Sequence, residues 1–289
     1  MSRVAYVNGR YVPHGEAAVH IEDRGYQFAD GIYEVSAIQG GRIIDEEAHY
    51  ERLERSLGEL QIPAPMGRPA LRLISREMIR RNGIRDGLIY MQITRGVARR
   101  DHPFPKPGTP PSVVMTAKRV KPQSAEMVAK GVAAITIQDI RWARCDIKSV
   151  SLLPNVLGKQ QAREAGAYEA WMVDRDGMVT EGTSTNAWIV TQSGEVVTRS
   201  LSNAILGGIT RASLKRLAET AQIKIVERSF SLEEARAAKE AFLTSTTGYV
   251  LPIVSLDGEP VGDGTPGPTT ARLRELYMAF MAAPADAAA

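Results

Sequence analysis

A few short stretches of this 289-residue chain carry groups that could act together chemically. Arg144-Cys145-Asp146-Ile147-Lys148-Ser149 presents an amine after a polar turn. Thr180-Glu181-Gly182-Thr183-Ser184-Thr185-Asn186 presents a carboxylate as the chain enters a glycine turn. Gly207-Gly208-Ile209-Thr210-Arg211 reads as a glycine-gated helix start, and Thr244-Ser245-Thr246-Thr247 is a run of hydroxyls.

Each stretch has an ordinary explanation when taken alone. A loop lysine is usually solvated, a glutamate at a turn is usually on the surface, and many glycine loops precede helices. Arg52, in a helical segment, would by itself be a solvated helix arginine. As a set they do more. A lysine that forms Schiff bases needs a fixed position and a suppressed charge. An electron-withdrawing pyridine ring needs a carboxylate at its ring nitrogen. A phosphate needs backbone N–H groups at a helix N-terminus and a fixed cation. Amine, carboxylate, anion cup and hydroxyls are the parts that hold pyridoxal phosphate, with Lys148, Glu181, the helix start at Gly207 to Arg211 and Arg52 as the candidates.

Composition narrows the alternatives. Apolar content of 44% and charged content of 24% are ordinary for a globular chain. A net charge of +3 is too small to argue for nucleic acid, and Arg80-Arg81 and Arg99-Arg100 are too short to make a basic face. Cys145 is the single cysteine, so no intrachain disulfide can form, in keeping with a reducing compartment. His14, His20, His49 and His102 form no HExxH pattern and there is no CxxC, so no zinc site is expected. No GxxxxGK occurs, against a P-loop nucleotide site. The N-terminus has no apolar signal core, and no apolar run approaches the ~20 residues of a membrane span. These features read as a soluble cytoplasmic protein.

The positioning elements follow from periodicity. Val4-Ala5-Tyr6-Val7, the Asn8-Gly9 turn and Arg10-Tyr11-Val12 predict a hairpin. Ile32 to Ile38, Gly40-Gly41 and Arg42-Ile43-Ile44 predict another. Leu53, Leu57 and Leu60 share one helical face, and Leu71, Ile74 and Met78 another. Strands are expected again at Leu88 to Thr94 and Ser112 to Ala117. Lys118 to Ser124, polar and containing a proline, reads as a linker. The predicted organisation is an N-terminal α+β domain over 1–118, a linker at 119–124 and a second domain over 125–289. In the second half, strands are expected at Val132 to Ile137, Glu169 to Val173, Ala187 to Val190 and Ala241 to Thr244. Helices are expected from Pro154 to about Ala165, from Thr210 to about Thr220, after the Ser231–Glu234 capping box, and from about Thr270 to Met281. The tail beyond is expected to be disordered.

In this order the residues resemble the fold type IV pyridoxal-phosphate enzymes, a group of D-amino acid aminotransferases, branched-chain aminotransferases and aminodeoxychorismate lyases. The likeness runs from Tyr6-Val7-Asn8-Gly9 to the final helix. It is carried by Glu22 to Phe28, Asp30-Gly31-Ile32-Tyr33-Glu34, Thr94-Arg95-Gly96, Asp139-Ile140-Arg141-Trp142 and Cys145 to Ser149. Its nearest form is the D-amino acid (D-alanine) aminotransferases. The resemblance implies an α+β fold with a small N-terminal domain, a larger C-terminal pseudo-barrel and the site between them. It implies that Lys148 binds the cofactor covalently and that Glu181 pairs with the pyridine nitrogen. Arg52, the N–H groups of Ile209 and Thr210 and the Thr246 hydroxyl would take the phosphate. Leu206 would pack on the ring, and Ser184 would tie cofactor, lysine and water together.

The resemblance also implies a substrate carboxylate trap made of Tyr33, Arg100 and His102. The arginine and histidine would come from a neighbouring subunit, hence a homodimer. Arginine offers a carboxylate a two-pronged donor, and tyrosine and histidine add single donors. The family usually has a small or proline-like residue before this arginine. Here it is Arg99, so Arg99 and Arg100 are both candidates for the trap. The implied reaction is transamination of D-alanine or D-glutamate with 2-oxo acids such as 2-oxoglutarate or pyruvate. In it Lys148 takes the α-proton and returns one to the cofactor. The competing readings are a branched-chain L-amino acid aminotransferase, which would not need Arg100 and His102, an (R)-amine transaminase, and a lyase releasing pyruvate. A non-catalytic protein of this fold and a cofactor-free Schiff-base aldolase are disfavoured by Lys148 with Glu181 and by the phosphate cup.

Overall fold

The computed structural model describes residues 3–283. The chain divides into two compact units, Met1–Lys121 with Ile147–Ser151, and Pro122–Asp146 with Leu152–Ala289. The tail expected to be disordered lies outside the described residues.

The first unit contains β1 (Val4–Val7), β2 (Arg10–Pro13), α1 (Arg24–Phe28), β3 (Gly31–Gln39), β4 (Arg42–Ile43), α2 (Glu46–Glu59), α3 (Arg68–Arg81), β5 (Gly87–Thr94) and β6 (Ser112–Arg119). Its sheet runs β2-β1-β6-β5-β3-β4, antiparallel throughout. The period-two alternation of β3 decides which side chains meet. Ile32 pairs with Ile93 and Ser36 with Ile89, on the face that packs against Leu53, Leu57 and Met78. Glu34, paired with Met91, falls on the same buried face. Tyr33, opposite Gln92, and Val35, opposite Tyr90, point the other way. In α2 the buried positions are His49, Tyr50, Leu53, Ser56 and Leu57, the spacing of one helical face. Asn82, after α3, accepts from Val4 N at 2.9 Å and donates to Val4 O at 3.1 Å, tying the helix end to β1.

The second unit contains α4 (Ala125–Lys130), β7 (Val132–Gln138), α5 (Leu153–Glu164), β8 (Glu169–Val173), β9 (Val179–Gly182), β10 (Asn186–Val190), β11 (Val196–Thr198), α6 (Ile209–Thr220), β12 (Ile225–Glu227), α7 (Leu232–Arg236), β13 (Glu240–Ser245), β14 (Tyr249–Leu256), β15 (Glu259–Pro260) and α8 (Pro268–Ala282). The sheet order is β12-β11-β10-β13-β14-β7-β8-β9, with β15 on β14. The path curls. Its last strand, β9, joins β10 through a tight turn in which Gly182 N donates to Thr185 O at 2.7 Å. This is the larger pseudo-barrel of the two-domain α+β architecture expected from the sequence.

The elements with clear periodicity lie where the sequence puts them. Those without a sequence signal are short or buried throughout. In the stretch read as a linker, Val120 to Ser124 carry no regular element, and the division between the two units falls between Lys121 and Pro122. Lys118 and Arg119 finish β6, and the Ser124 hydroxyl accepts from Met127 N at 3.1 Å to cap α4. The strand β14 carries Pro252 and lies mostly buried, so it shows no alternation to read.

Candidate active site

In the first unit, Lys148 lies on no regular element, yet its backbone is fixed. Tyr33 N donates to Lys148 O and Val150 N to Gly31 O, both at 3.0 Å, and Ser149 bridges Ile32. The segment therefore lies along β3 as one further extended rung. Lys148 Nζ sits 4.3 Å from the centre of the Tyr33 ring, a cation–π contact. Tyr33 in turn stacks on Tyr90, centroids 5.7 Å apart. Burial, and then the neighbouring Tyr33, push the Tyr90 phenol up to about 12, so it acts as a donor; its hydroxyl gives a 2.6 Å hydrogen bond to Gln92 Oε1.

Behind that face, Arg52 is not a solvated helix arginine. Its Nε and Nη2 donate to the two oxygens of Glu34 at 2.8 and 2.7 Å, and His49 Nδ1 lies 2.7 Å from Glu34 Oε2. Burial raises the Glu34 carboxyl, but the charge and hydrogen bonds of Arg52, with His49, outweigh it and hold it at about 2.

Arg100 and His102 stand in an exposed loop of the same unit. The Arg100 guanidinium lies 5.1 Å from the Phe28 ring centre, and the His102 and Phe28 rings are 5.6 Å apart. The loop backbone is held by buried Arg24, which donates to Asp101 O at 2.6 Å, to His102 O at 3.3 Å and to Asp30 at 2.8 Å. Arg99 is exposed. Ile21 at 75%, Tyr26 at 77% and Phe104 at 56% exposure flank these segments.

In the second unit Glu181 lies near the end of β9, in a β-bulge. Trp171 pairs with Gly182 and Val173 with Val179, so Thr180 and Glu181 both face the single residue Met172. The buried carboxylate accepts from Leu206 N at 3.1 Å and from Asn186 Nδ2 at 3.1 Å, and Arg141 Nη1 donates to Oε1. Asn186 also donates to Leu206 O at 2.9 Å. Glu181 and Leu206, picked out separately in the sequence, are therefore directly joined.

The helix start at 207–211 is α6. Its cap, Gly208, offers no side-chain hydrogen bond, so the first-turn N–H groups of buried Ile209 and Thr210 have no internal cap. Glycine is needed at 208 for space, since a Cβ there would stand 2.1 Å from Asn186 Oδ1. The first turn of this 12-residue helix thus has the backbone N–H groups and the dipole end that can receive an anion. Ser184 is exposed, its hydroxyl 3.4 Å from Glu169 Oε2. Glu169, fully buried, also takes the hydroxyls of Thr183 and Thr185 and so shapes the turn after Glu181. Thr246 is half-buried in the turn between β13 and β14.

Neither Glu34 with His49 nor Asp139 with Arg141 stands out in the sequence as a site pair. The first pair leaves a signal, a glutamate on the apolar face of a strand and a histidine three residues before Arg52. The second leaves only the Asp139-x-Arg141 spacing.

The fold and these groups define a class of protein. The chain belongs to the amino-transferase class IV family, whose model matches residues 31–256. It is 42% identical over 276 residues to a D-alanine aminotransferase of Staphylococcus aureus (strain MSSA476), covering 96% of this chain and 97% of that one. It is 43% identical over 263 residues to a D-alanine aminotransferase of Bacillus licheniformis, covering 91% and 92%. Among solved structures it is similar to a T.th. branched-chain amino acid aminotransferase with pyridoxamine 5'-phosphate. That match has a TM-score of 0.90 at 27% identity and covers 99% of this chain and 96% of the other. The Escherichia coli branched-chain enzyme, at 24% identity and a TM-score of 0.89 over 96% and 94%, shares the fold.

Proposed function

We propose that this protein is a pyridoxal 5'-phosphate-dependent D-amino acid aminotransferase, passing the amino group of D-alanine or D-glutamate to 2-oxo acids such as 2-oxoglutarate or pyruvate. The observation that carries this is the 42% identity to a D-alanine aminotransferase over 96% of the chain. Each unit by itself carries groups of the chemistry the cofactor needs: in the first an amine held on β3, in the second a carboxylate ringed by donors and a helix N-terminus without a side-chain cap.

When bound, the cofactor supplies an electron sink for the pair left at the substrate Cα. Lys148 Nζ would anchor it and would carry the proton from the substrate Cα to the cofactor. Glu181 holds a proton at the ring nitrogen. Arg52, the N–H groups of Ile209 and Thr210 and the Thr246 hydroxyl bind the phosphate. Leu206 packs on the ring and Ser184 orders the polar groups beside the lysine. Tyr33, Arg100 and His102 receive the substrate carboxylate. The last two serve a neighbouring copy, so the working form is a homodimer. The exposed apolar residues Ile21, Tyr26 and Phe104 beside that loop support such a contact. Among the described residues no helix is long and apolar enough to cross a membrane. The single cysteine supports a cytoplasmic setting.

The test is a half-reaction. Cofactor-loaded protein is mixed with D-alanine or with L-leucine, and the visible band is followed. Bleaching by D-alanine alone supports the proposal. Bleaching by L-leucine alone would reassign the enzyme to branched-chain substrates and leave Arg100 and His102 as a surface loop.

A further inference from the structure

Glu181 is not aimed by its strand. It stands in the bulge of β9, where two residues face one, and a bulge frees a side chain from the alternation of the sheet. What orients it is a set of side-chain and loop contacts, and at their centre is Arg141, whose side chain is 5% exposed. Arg141 Nε donates to Asp139 Oδ1 at 3.0 Å and Nη2 to Asp139 Oδ2 at 2.7 Å, a two-pronged grip that fixes the guanidinium plane. Asp139 is itself anchored, its N–H donating to Val173 O at 2.8 Å and its Oδ2 lying 2.7 Å from the Thr180 hydroxyl. With the plane so held, Nη1 meets Glu181 Oε1, and Nη2 reaches Ala204 O at 3.0 Å. Ala204 belongs to the irregular stretch before α6. The same stretch returns Leu206 N to Glu181 and leads into Gly208. Cys145 N donates to Asn203 O at 2.8 Å, so the 139–145 segment and the 203–206 segment are held together at a second point.

We propose that Arg141, aligned by Asp139, is a positioning residue of the reaction: it sets the Glu181 carboxylate toward the ring nitrogen of the cofactor and holds the 203–206 stretch that carries Leu206 into the phosphate-binding helix. This rests on the reading that Glu181 serves the ring nitrogen. A lysine could supply the charge but not the planar fork that grips Asp139 and reaches two further acceptors. The role thus belongs to geometry as much as to charge. Removing the guanidinium leaves Asp139 and Glu181 as buried carboxylates without that partner, a costly arrangement that their side chains would relieve by moving.

The experiment compares the wild-type full chain with Arg141→Met, Arg141→Lys, Glu181→Gln and the Arg141→Met/Glu181→Gln double variant. Each is titrated with pyridoxal 5'-phosphate, and the visible band of the bound cofactor is followed against pH. Thermal unfolding serves as the check on folding. Arg141→Met is expected to move the band and its pH midpoint as Glu181→Gln does, and to weaken cofactor binding about tenfold to a hundredfold. The double variant should match Glu181→Gln within about threefold, because both act through one carboxylate. Arg141→Lys, which keeps the charge should the methionine variant not fold, is expected to lie between wild type and Glu181→Gln. Arg141 variants with the wild-type band, beside a shifted Glu181→Gln, would overturn the positioning role. A double variant with the two single effects summed would do the same. A Glu181→Gln protein with an unchanged band would instead overturn the reading of Glu181 itself.

Discussion

Two buried networks in this protein are built with opposite polarity. In the first unit one carboxylate, Glu34, collects Arg52 and His49. In the second unit one guanidinium, Arg141, collects Asp139 and Glu181. Buried ion pairs return little net stability, because desolvation offsets most of the attraction. What both networks give is orientation. A network centred on an anion presents cationic groups and suits a phosphate. One centred on a cation presents carboxylate oxygens and suits a ring N–H. On the proposed function, the contrast would separate holding the cofactor from tuning its chemistry, and it can be attacked experimentally.

The largest effect should come from Lys148, which neither network contains. Lys148→Ala is expected to lower turnover of D-alanine by more than ~10³-fold and to abolish the covalent cofactor link. Substantial residual transamination would remove the lysine from its role. Next comes the contrast itself. Glu181→Gln should lower kcat by about 10²-fold at saturating cofactor. Arg52→Ala should instead raise the cofactor dissociation constant about tenfold to a hundredfold, with kcat largely restored by excess cofactor. Steady-state kinetics at graded cofactor concentrations distinguish these, and an exchange of the two phenotypes would dissolve the distinction. Arg100→Ala should raise the apparent KM for D-alanine about tenfold or more with little change in cofactor affinity. If Arg99→Ala does so instead, the trap is shifted by one residue.

A smaller effect concerns pH. The folded Glu34 carboxyl, at about 2, lies below its ordinary 4.5. Its contribution to stability is therefore complete above about pH 4.5 and is lost as pH falls toward 2, a few kcal/mol at most. Denaturant midpoints measured across this range should fall less steeply for Glu34→Gln. Asp139 is also held below the carboxylate range. Burial acts on it first and upward, and the Arg141 hydrogen bonds and charge prevail. The second network should therefore add a parallel loss in acid. The smallest expected change reports on Arg141. Burial pushes the Cys145 thiol up to about 11, while Arg141 draws it down and Asp139 and Glu181 push it up. Arg141→Met should slow alkylation of Cys145 at pH 8, and Glu181→Gln should speed it, each by less than about tenfold. Opposite signs would mean the three charges do not share one field.

Much of the fold was legible from periodicity. The hairpin at Val4–Val7 and Arg10–Pro13 followed from its Asn8-Gly9 turn, and α2, α3 and α8 from apolar spacing. Ser231 capping α7 followed from one serine and one glutamate. The short α1 and α4 were not legible, since five or six residues carry too little pattern. For the candidate site, Lys148, Glu181 and the start of α6 were proposed from residue type and local turn chemistry. Arg52 was found as a cation, but not as half of a buried pair.

The amino-acid sequence by itself determined the kinds of group available and the local geometry that follows from them. It supplied a lysine after a polar turn, a glutamate before a glycine, and a helix whose first turn has only glycine for a cap. Those properties depend on neighbours in the chain, where φ, ψ and side-chain period operate. Only the tertiary structure decided that Lys148 runs along β3 over Tyr33, that Glu34 rather than water faces Arg52, and that Arg141 aims a carboxylate freed by a bulge. Each joins residues distant in sequence through burial and directional hydrogen bonds. Their energies depend on desolvation and on angles that no local pattern encodes.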